Sequence, residues 1–137
     1  MPLNAPVLRA SLELVVERSP MITPRFYEIL FSRYPQVKPM FSRNAAERQQ
    51  KMLQDAIVAV VDHVEDATWL TDNLHAMGAK HVEYGVTDEM YGWVGECLIA
   101  TLKEVAGEQW NSTIETAWVD AYGAITGLMI EGAHRPA

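Results

Sequence analysis

A histidine in the segment LHAMGAKHVEYGV is the residue whose position most clearly allows chemistry. Leu70, Leu74 and Met77 are spaced four and three residues apart, and the next step of four reaches His81, so this imidazole lies on an inward helix face. Three interpretations fit: a histidine satisfied within the core, a solvated histidine at a helix end, or a ligand presented to a metal. Burying the ring nitrogens unpaired costs about 1–3 kcal/mol, so an inward histidine needs a partner.

Two further hydrogen-bonding side chains are predicted to face the same apolar interior. Tyr27 shares a helix face with Leu30 and Phe31, and Gln49 shares one with Leu53. Convergence of such groups in an apolar surrounding is typical of a binding pocket.

The spacing of the histidines argues against a zinc site. His75 and His81 are six residues apart, which places them on nearly opposite sides of a helix, and a protein-only site needs at least three ligands. The sequence also contains no HExxH, CxxC or GxSxG motif and no glycine-rich phosphate loop. One metal-directed histidine on a helical scaffold favours a prosthetic group that brings its own ligands, and haem is the commonest such group.

Helices must position these residues, because apolar spacings of three and four run through the chain and strand-type alternation is nearly absent. We predict helices from about Ala5 to Arg18, from Thr23, from about Ala45, through Leu70 to His81, from Thr87 as N-cap to about Val105, and from a capping box at Ser112 to Glu115. The fold class is therefore all-α.

The third of these helices carries an apolar stripe through Leu53, Ile57 and Val61. Its polar residues, Gln54 and Asp55 among them, are expected mostly away from that stripe.

Chain length, net charge and the length of the apolar stretches limit the number of domains and the classes of partner. A chain of 137 residues, 49% of them hydrophobic, predicts one domain over residues 1–137. The net charge is −7 and the basic residues are scattered, which argues against nucleic acid. No apolar stretch is long enough to span a bilayer, so we expect a soluble, cytoplasmic protein without a membrane partner. The lone Cys97, among apolar neighbours, is expected to be a buried small hydrophobe.

Four segments in this order and spacing, TPRFYEILFSRYPQVKPMF, GAKHVEYGV, MYGWVGECLIATLKEV and AWVDAYGAI, resemble bacterial single-domain haemoglobins and the globin part of flavohaemoglobins. The resemblance covers nearly the whole chain. It implies a globin fold, a three-over-three helical sandwich around a haem pocket, with haem b as the cofactor.

The resemblance assigns roles to individual residues. His81 matches the proximal histidine that ligates the haem iron, and Phe41 matches the phenylalanine that packs on the porphyrin. Tyr27 and Gln49 match the distal tyrosine and glutamine, which implies a catalytic role for both. Gln50 is the alternative to Gln49 if the corner before this helix differs in length, although the spacing of the apolar stripe favours Gln49.

Three more residues are implied to contact the haem. Leu53 matches the apolar residue over the iron, and Met77 is expected to line the proximal side. Tyr91 matches a tyrosine beside the proximal histidine, which in the family polarises the imidazole together with a glutamate of the last helix.

The chain departs from the family pattern in two places. Ala133 stands where that glutamate is expected, and Glu131 lies two residues earlier, about 200° around the helix. Electron donation from the histidine is then weaker, which argues against peroxidase-like O–O cleavage and against fast dioxygenation. Flavohaemoglobins continue into a reductase and this sequence stops at Ala137, so we expect the reductase to be a separate protein.

The implied function is reversible binding of O2, with NO and CO as further ligands. Nitric oxide dioxygenation, a detoxifying activity, is implied where an external reductase returns the ferric iron. The alternatives are a haem-based gas sensor and a haem-free interaction module in stress signalling. The sequence leaves the assembly as a monomer or a homodimer.

Overall fold

The computed structural model describes residues 3–41 and 45–134. These residues form α1 (Ala5–Arg18), α2 (Thr23–Arg33), α3 (Ala46–Asp62), α4 (Ala67–Glu83), α5 (Asp88–Ala106) and α6 (Ser112–Ala133). Short 3-10 segments cover Pro35–Phe41 and Gly107–Gln109, and no strand occurs in the described ranges. The all-α prediction is confirmed.

The start of α6 differs by one residue from the prediction. Its N-cap is Asn111, not Ser112, and the Asn111 side chain accepts a hydrogen bond from the backbone N–H of Ile114 at 2.9 Å. Asparagine in an extended conformation is a strong N-cap, so it takes the position that the capping-box pattern assigned to the serine. Glu115, the other residue of the predicted box, instead accepts a hydrogen bond from Trp110 Nε1 at 3.1 Å.

The helices pack around two apolar clusters. Helix α1 contacts α3, α5 and α6, helix α2 contacts α3 and α5, and α4 lies against α6. The larger cluster draws on α1, α2, α3, α5 and α6, and the smaller one draws on α4, α5 and α6. Cys97 is fully buried in the larger cluster, as predicted. No helix in the described part of the chain is both long and apolar enough to cross a membrane.

Helices α4 and α6 approach each other until their backbones touch. A Cβ atom on Gly78 would overlap the Met129 carbonyl, and one on Gly132 would overlap the backbone of His75. Only glycine fits at both points, because any side chain would push the helices apart. This contact fixes the position of α4, the helix that carries His81.

Candidate functional site

Tyr27 on α2 and Gln49 on α3 lie side by side. Gln49 Nε2 donates a hydrogen bond to the Tyr27 hydroxyl oxygen across 3.1 Å. Tyr27 is buried and Gln49 is half-buried. Two residues that the sequence separates by 22 positions are thus joined, and we call them the Tyr27–Gln49 pair.

Of the two neighbouring glutamines, Gln49 is the one whose side chain reaches Tyr27. Gln50 contributes its backbone carbonyl to a hydrogen bond from Thr23 Oγ1 at 2.9 Å. The geometry therefore favours the first of the two alternatives that the sequence left open.

Aromatic rings surround the Tyr27 side chain. The ring centroid of Tyr27 lies 5.0 Å from that of Phe26, 5.6 Å from that of Phe31 and 5.3 Å from that of Phe41. Edge-to-face and offset arrangements at such separations are favourable. Leu53, one turn after Gln49, is half-buried and packs against the same apolar cluster.

This apolar surrounding keeps the Tyr27 hydroxyl protonated. Burial raises the pKa of Tyr27 above its ordinary value of 10.0, and the hydrogen bond from Gln49 only partly opposes that effect. Because Gln49 donates into the hydroxyl oxygen, this contact does not use the hydroxyl proton. Tyr27 can therefore offer the proton to a third group.

His81, on the last turn of α4, is half-buried, and its imidazole orientation is fixed by its own helix. Nδ1 lies 2.6 Å from the carbonyl oxygen of Met77. A carbonyl can only accept, so Nδ1 carries a proton, and in the neutral imidazole the lone pair is then on Nε2. Neutral imidazole held in this way by a backbone carbonyl is the usual form of a metal-ligating histidine.

Tyr91 on α5 lies beside His81. The ring centroids are 6.2 Å apart with planes inclined by 29°, and Tyr91 is buried. Burial is the main cause that raises the Tyr91 pKa, so this hydroxyl is also neutral. The Tyr91 carbonyl accepts a hydrogen bond from Tyr122 Oη at 2.6 Å, which ties α5 to α6 behind the site.

The position on α6 where the family pattern has a glutamate holds Ala133, and the carboxylate of Glu131 is directed elsewhere. Ala133 is the last residue of the helix. Glu131 Oε1 lies 3.3 Å from Nε2 of His75, and its side chain is 62% exposed. The His81 imidazole is therefore held by a neutral carbonyl, that of Met77.

Gln54 is buried, which corrects the expectation that it faces away from the apolar stripe. Its amide accepts from the backbone N–H of Ile22 and donates to the carbonyl of Pro20, both at 3.2 Å. The signal was present in the sequence, since Gln54, Ile57 and Val61 follow an i, i+3, i+7 spacing that defines one helix face. The expectation gave more weight to the polarity of the glutamine than to its position on the helix. A glutamine whose amide oxygen and nitrogen both have hydrogen-bond partners can be buried at little cost.

The donor set fits a haem. His81 offers Nε2 as a ligand, and its other ring nitrogen, Nδ1, already has a partner in the Met77 carbonyl. Phe41 and Leu53 pack against the larger apolar cluster, and Met77 and Tyr91 lie in or against the smaller, so these four residues are of the apolar kind that walls a porphyrin. No group of three or more histidine, cysteine or acidic side chains that could hold a metal ion occurs in residues 3–41 and 45–134. A metal at His81 must therefore bring its other ligands with it.

Comparison with known proteins gives one family. The family model described as Globin matches residues 24–129. The flavohemoprotein of Bacillus anthracis is 33% identical over 126 residues, which are 90% of this chain but 31% of that protein. This chain therefore spans about a third of the length of that relative. A globin-like protein of Aquifex aeolicus is 33% identical over 124 residues, covering 90% of this chain and 87% of that one.

A solved structure agrees in three dimensions. It is that of a proposed nitric oxide dioxygenase from Rhodothermus marinus, engineered as a carbene transferase. It superposes with a TM-score of 0.82 at 29% identity over 94% of this chain and 89% of the other. The fold expected from the sequence is thereby confirmed.

Proposed function

Because the chain belongs to the globin family, we propose that it binds haem b through Nε2 of His81 and uses it to bind O2. Phe41, Leu53, Met77 and Tyr91 are the residues that would contact the porphyrin. Haem iron supplies reversible binding of diatomic gases and, with nitric oxide as the second substrate, oxidation to nitrate. The observation that carries the proposal is the hydrogen bond from His81 Nδ1 to the Met77 carbonyl, since it places the imidazole proton on Nδ1 and leaves Nε2 with the lone pair that a metal needs.

The Tyr27–Gln49 pair is proposed to act on the bound gas. Gln49 fixes the Tyr27 oxygen and leaves the hydroxyl proton available. A hydrogen bond from this hydroxyl to a ligand that carries partial negative charge contributes about 1–2 kcal/mol. Such a donor slows release of O2, and tight binding suits scavenging or chemistry better than delivery.

The reaction we propose is nitric oxide dioxygenation. Nitric oxide, O2 and one electron balance to nitrate, so a reductase must supply one electron per turnover. The similarity to flavohemoproteins and to a proposed nitric oxide dioxygenase supports this assignment. We propose a reductase as the partner and a cytoplasmic location, where reduced nicotinamide is available.

The state of the histidine supports oxygen binding over peroxide cleavage. A carboxylate on Nδ1 gives the imidazole anionic character and pushes electron density to the metal, whereas a backbone carbonyl does so less. His81 has the carbonyl, and Glu131 on α6 contacts His75. Peroxidase activity is therefore expected to be low.

Visible absorption spectra of the ferric, dithionite-reduced and air-exposed protein test the proposal, together with His81→Ala. His63→Ala is a matched control, because His63 Nδ1 makes the same contact with a carbonyl four residues earlier, that of Ala59 at 2.7 Å, and is stacked on Trp69. We expect a haem spectrum with reversible O2 uptake, abolished by His81→Ala and retained by His63→Ala. A folded, colourless protein that binds no added haemin would refute the haem proposal and leave an interaction module.

A further inference from the structure

A ladder of hydrogen bonds joins α3 to α2 and to the residues just before it. At one end Gln54 accepts from the backbone N–H of Ile22 at 3.2 Å and donates to the carbonyl of Pro20 at 3.2 Å. In the middle Thr23 Oγ1 donates to the backbone carbonyl of Gln50 at 2.9 Å. At the other end is the Tyr27–Gln49 pair.

The ladder runs in one order along both helices. From Ile22 through Thr23 to Tyr27 the residue numbers rise, while those of their partners on α3 fall from Gln54 through Gln50 to Gln49, so the two chain directions are opposed along these contacts. Thr23 lies one turn before Tyr27 on α2, and Gln54 lies one turn after Gln50 on α3. The first two contacts therefore lie next to the pair along the same crossing.

Gln54 and Thr23 are polar side chains inside an apolar contact. Gln54 is 8% exposed and Thr23 is fully buried. Apolar side chains tolerate small shifts of one helix along another, but buried polar groups do not, because a shift leaves them without partners. A slide by one residue moves the atoms by about 1.5 Å, which is more than a hydrogen bond can absorb.

We propose that Gln54 and Thr23 are positioning residues that set the register of α2 against α3 and thereby hold the Tyr27 hydroxyl within reach of Gln49. The expected consequence, that Gln54 and Thr23 affect O2 release without touching the gas, rests on the proposed function. The structural part of the inference, the alignment of the pair, stands apart from haem and gas binding.

The variants that test this are close in shape to the native side chains. Gln54→Met removes both amide contacts with nearly unchanged volume, and Thr23→Val removes only the hydroxyl. Thr23→Ser keeps the hydroxyl and is the rescue variant. Ser11→Ala is the matched control, because it removes a buried contact between α1 and α6, in which Trp118 Nε1 donates to Ser11 Oγ at 2.8 Å.

The first measurement needs no gas. In the isotope-labelled protein we expect nuclear Overhauser contacts between the Gln49 side-chain amide and the Tyr27 ring. They should persist in Ser11→Ala and Thr23→Ser and weaken or vanish in Gln54→Met and Thr23→Val. Undiminished contacts in both Gln54→Met and Thr23→Val would overturn the proposal, whether or not the protein binds haem.

The second measurement is the O2 dissociation rate of the ferrous protein. Gln54→Met and Thr23→Val should each raise it roughly two- to tenfold, the range that corresponds to one displaced hydrogen bond. In a Tyr27→Phe/Gln49→Leu background, Gln54→Met should cause no further increase, because the residues through which it acts are gone. An equal increase in both backgrounds, or none in either, would overturn the proposal.

The two measurements separate this inference from the proposed function. If the native protein takes up no O2 but the amide contacts depend on Gln54, the positioning role stands and the gas-binding role fails. If O2 binds reversibly and the contacts do not depend on Gln54 or Thr23, the gas-binding role stands and the positioning role fails.

Discussion

The backbones of Gly78 and Met129 are in direct contact, because a Cβ atom on Gly78 would overlap the Met129 carbonyl. Gly78 precedes His81 on α4 by three residues, nearly one turn. The glycine therefore sets how close α4 comes to α6, and with it the position of the proposed ligand.

Gly78→Ala is expected to lower the free energy of unfolding by about 1–3 kcal/mol, because the added methyl group has no space and forces the packed helices to shift. Because the helix must move, haem should also be lost faster. Urea unfolding and haem transfer to a scavenging apoprotein measure the two effects.

Gly127→Ala on α6 is the control, since a Cβ there meets no atom within 4 Å. Removing a glycine from a helix without a clash should raise stability by about 0.5–1 kcal/mol. Equal behaviour of the two alanine variants would contradict the close contact at Gly78.

Tyr27→Phe should speed O2 dissociation about tenfold, which corresponds to about 1.4 kcal/mol, because it removes the proposed donor to the gas. Stopped-flow displacement of O2 by CO measures the rate. Tyr34→Phe is the matched control, since that hydroxyl donates to Glu96 Oε1 at 2.8 Å on the exposed side of α2. A rate unchanged by Tyr27→Phe would refute the role of Tyr27.

The O2 dissociation rate of the native protein should stay constant from neutral pH to about pH 10. Burial raises the Tyr27 pKa above 10.0, so the hydroxyl keeps its proton through this range. Ionisation would remove the donor and speed release. A rise in the rate that follows a group with a pKa well below 10, and that Tyr27→Phe abolishes, would contradict this prediction.

Glu96 should stabilise the fold in a pH-dependent way. It accepts hydrogen bonds from Arg33 and Tyr34 at 2.7 and 2.8 Å, and the Arg33 guanidinium is the main cause that holds its pKa below the usual value of 4.5. A lowered folded-state pKa gives stability that is present above the unfolded pKa and lost as the pH falls through the folded one.

The test is the difference in unfolding free energy between the native protein and Glu96→Gln. It should favour the native protein at neutral pH and shrink towards zero below about pH 4. Urea titrations at several pH values measure it. A difference that grows on acidification would mean that the ion pair is not its source.

The sequence alone determined the helices and the faces of most site residues. Helix periodicity placed His81 inward, and α1 and α2 begin at the predicted residues. These features are local, since they depend on neighbours three or four residues away along one helix. The likeness to globins, carried by four segments, came from the same local patterns.

Only the tertiary structure decided which side chains meet. Gln49 reaches Tyr27, and Glu131 contacts His75 while His81 donates to Met77. Such pairings depend on how far helices rotate and slide against each other, and the residue pattern along one helix does not indicate this.

The same reason explains how the buried Gln54 is paired and why Gly78 is required. Gln54 can be buried because the residues just before α2 present the N–H of Ile22 and the carbonyl of Pro20 where its amide lies. Gly78 is required because α6 brings the Met129 carbonyl against it. Both depend on partners more than 30 residues away along the chain, so the fold had to be known before either could be explained.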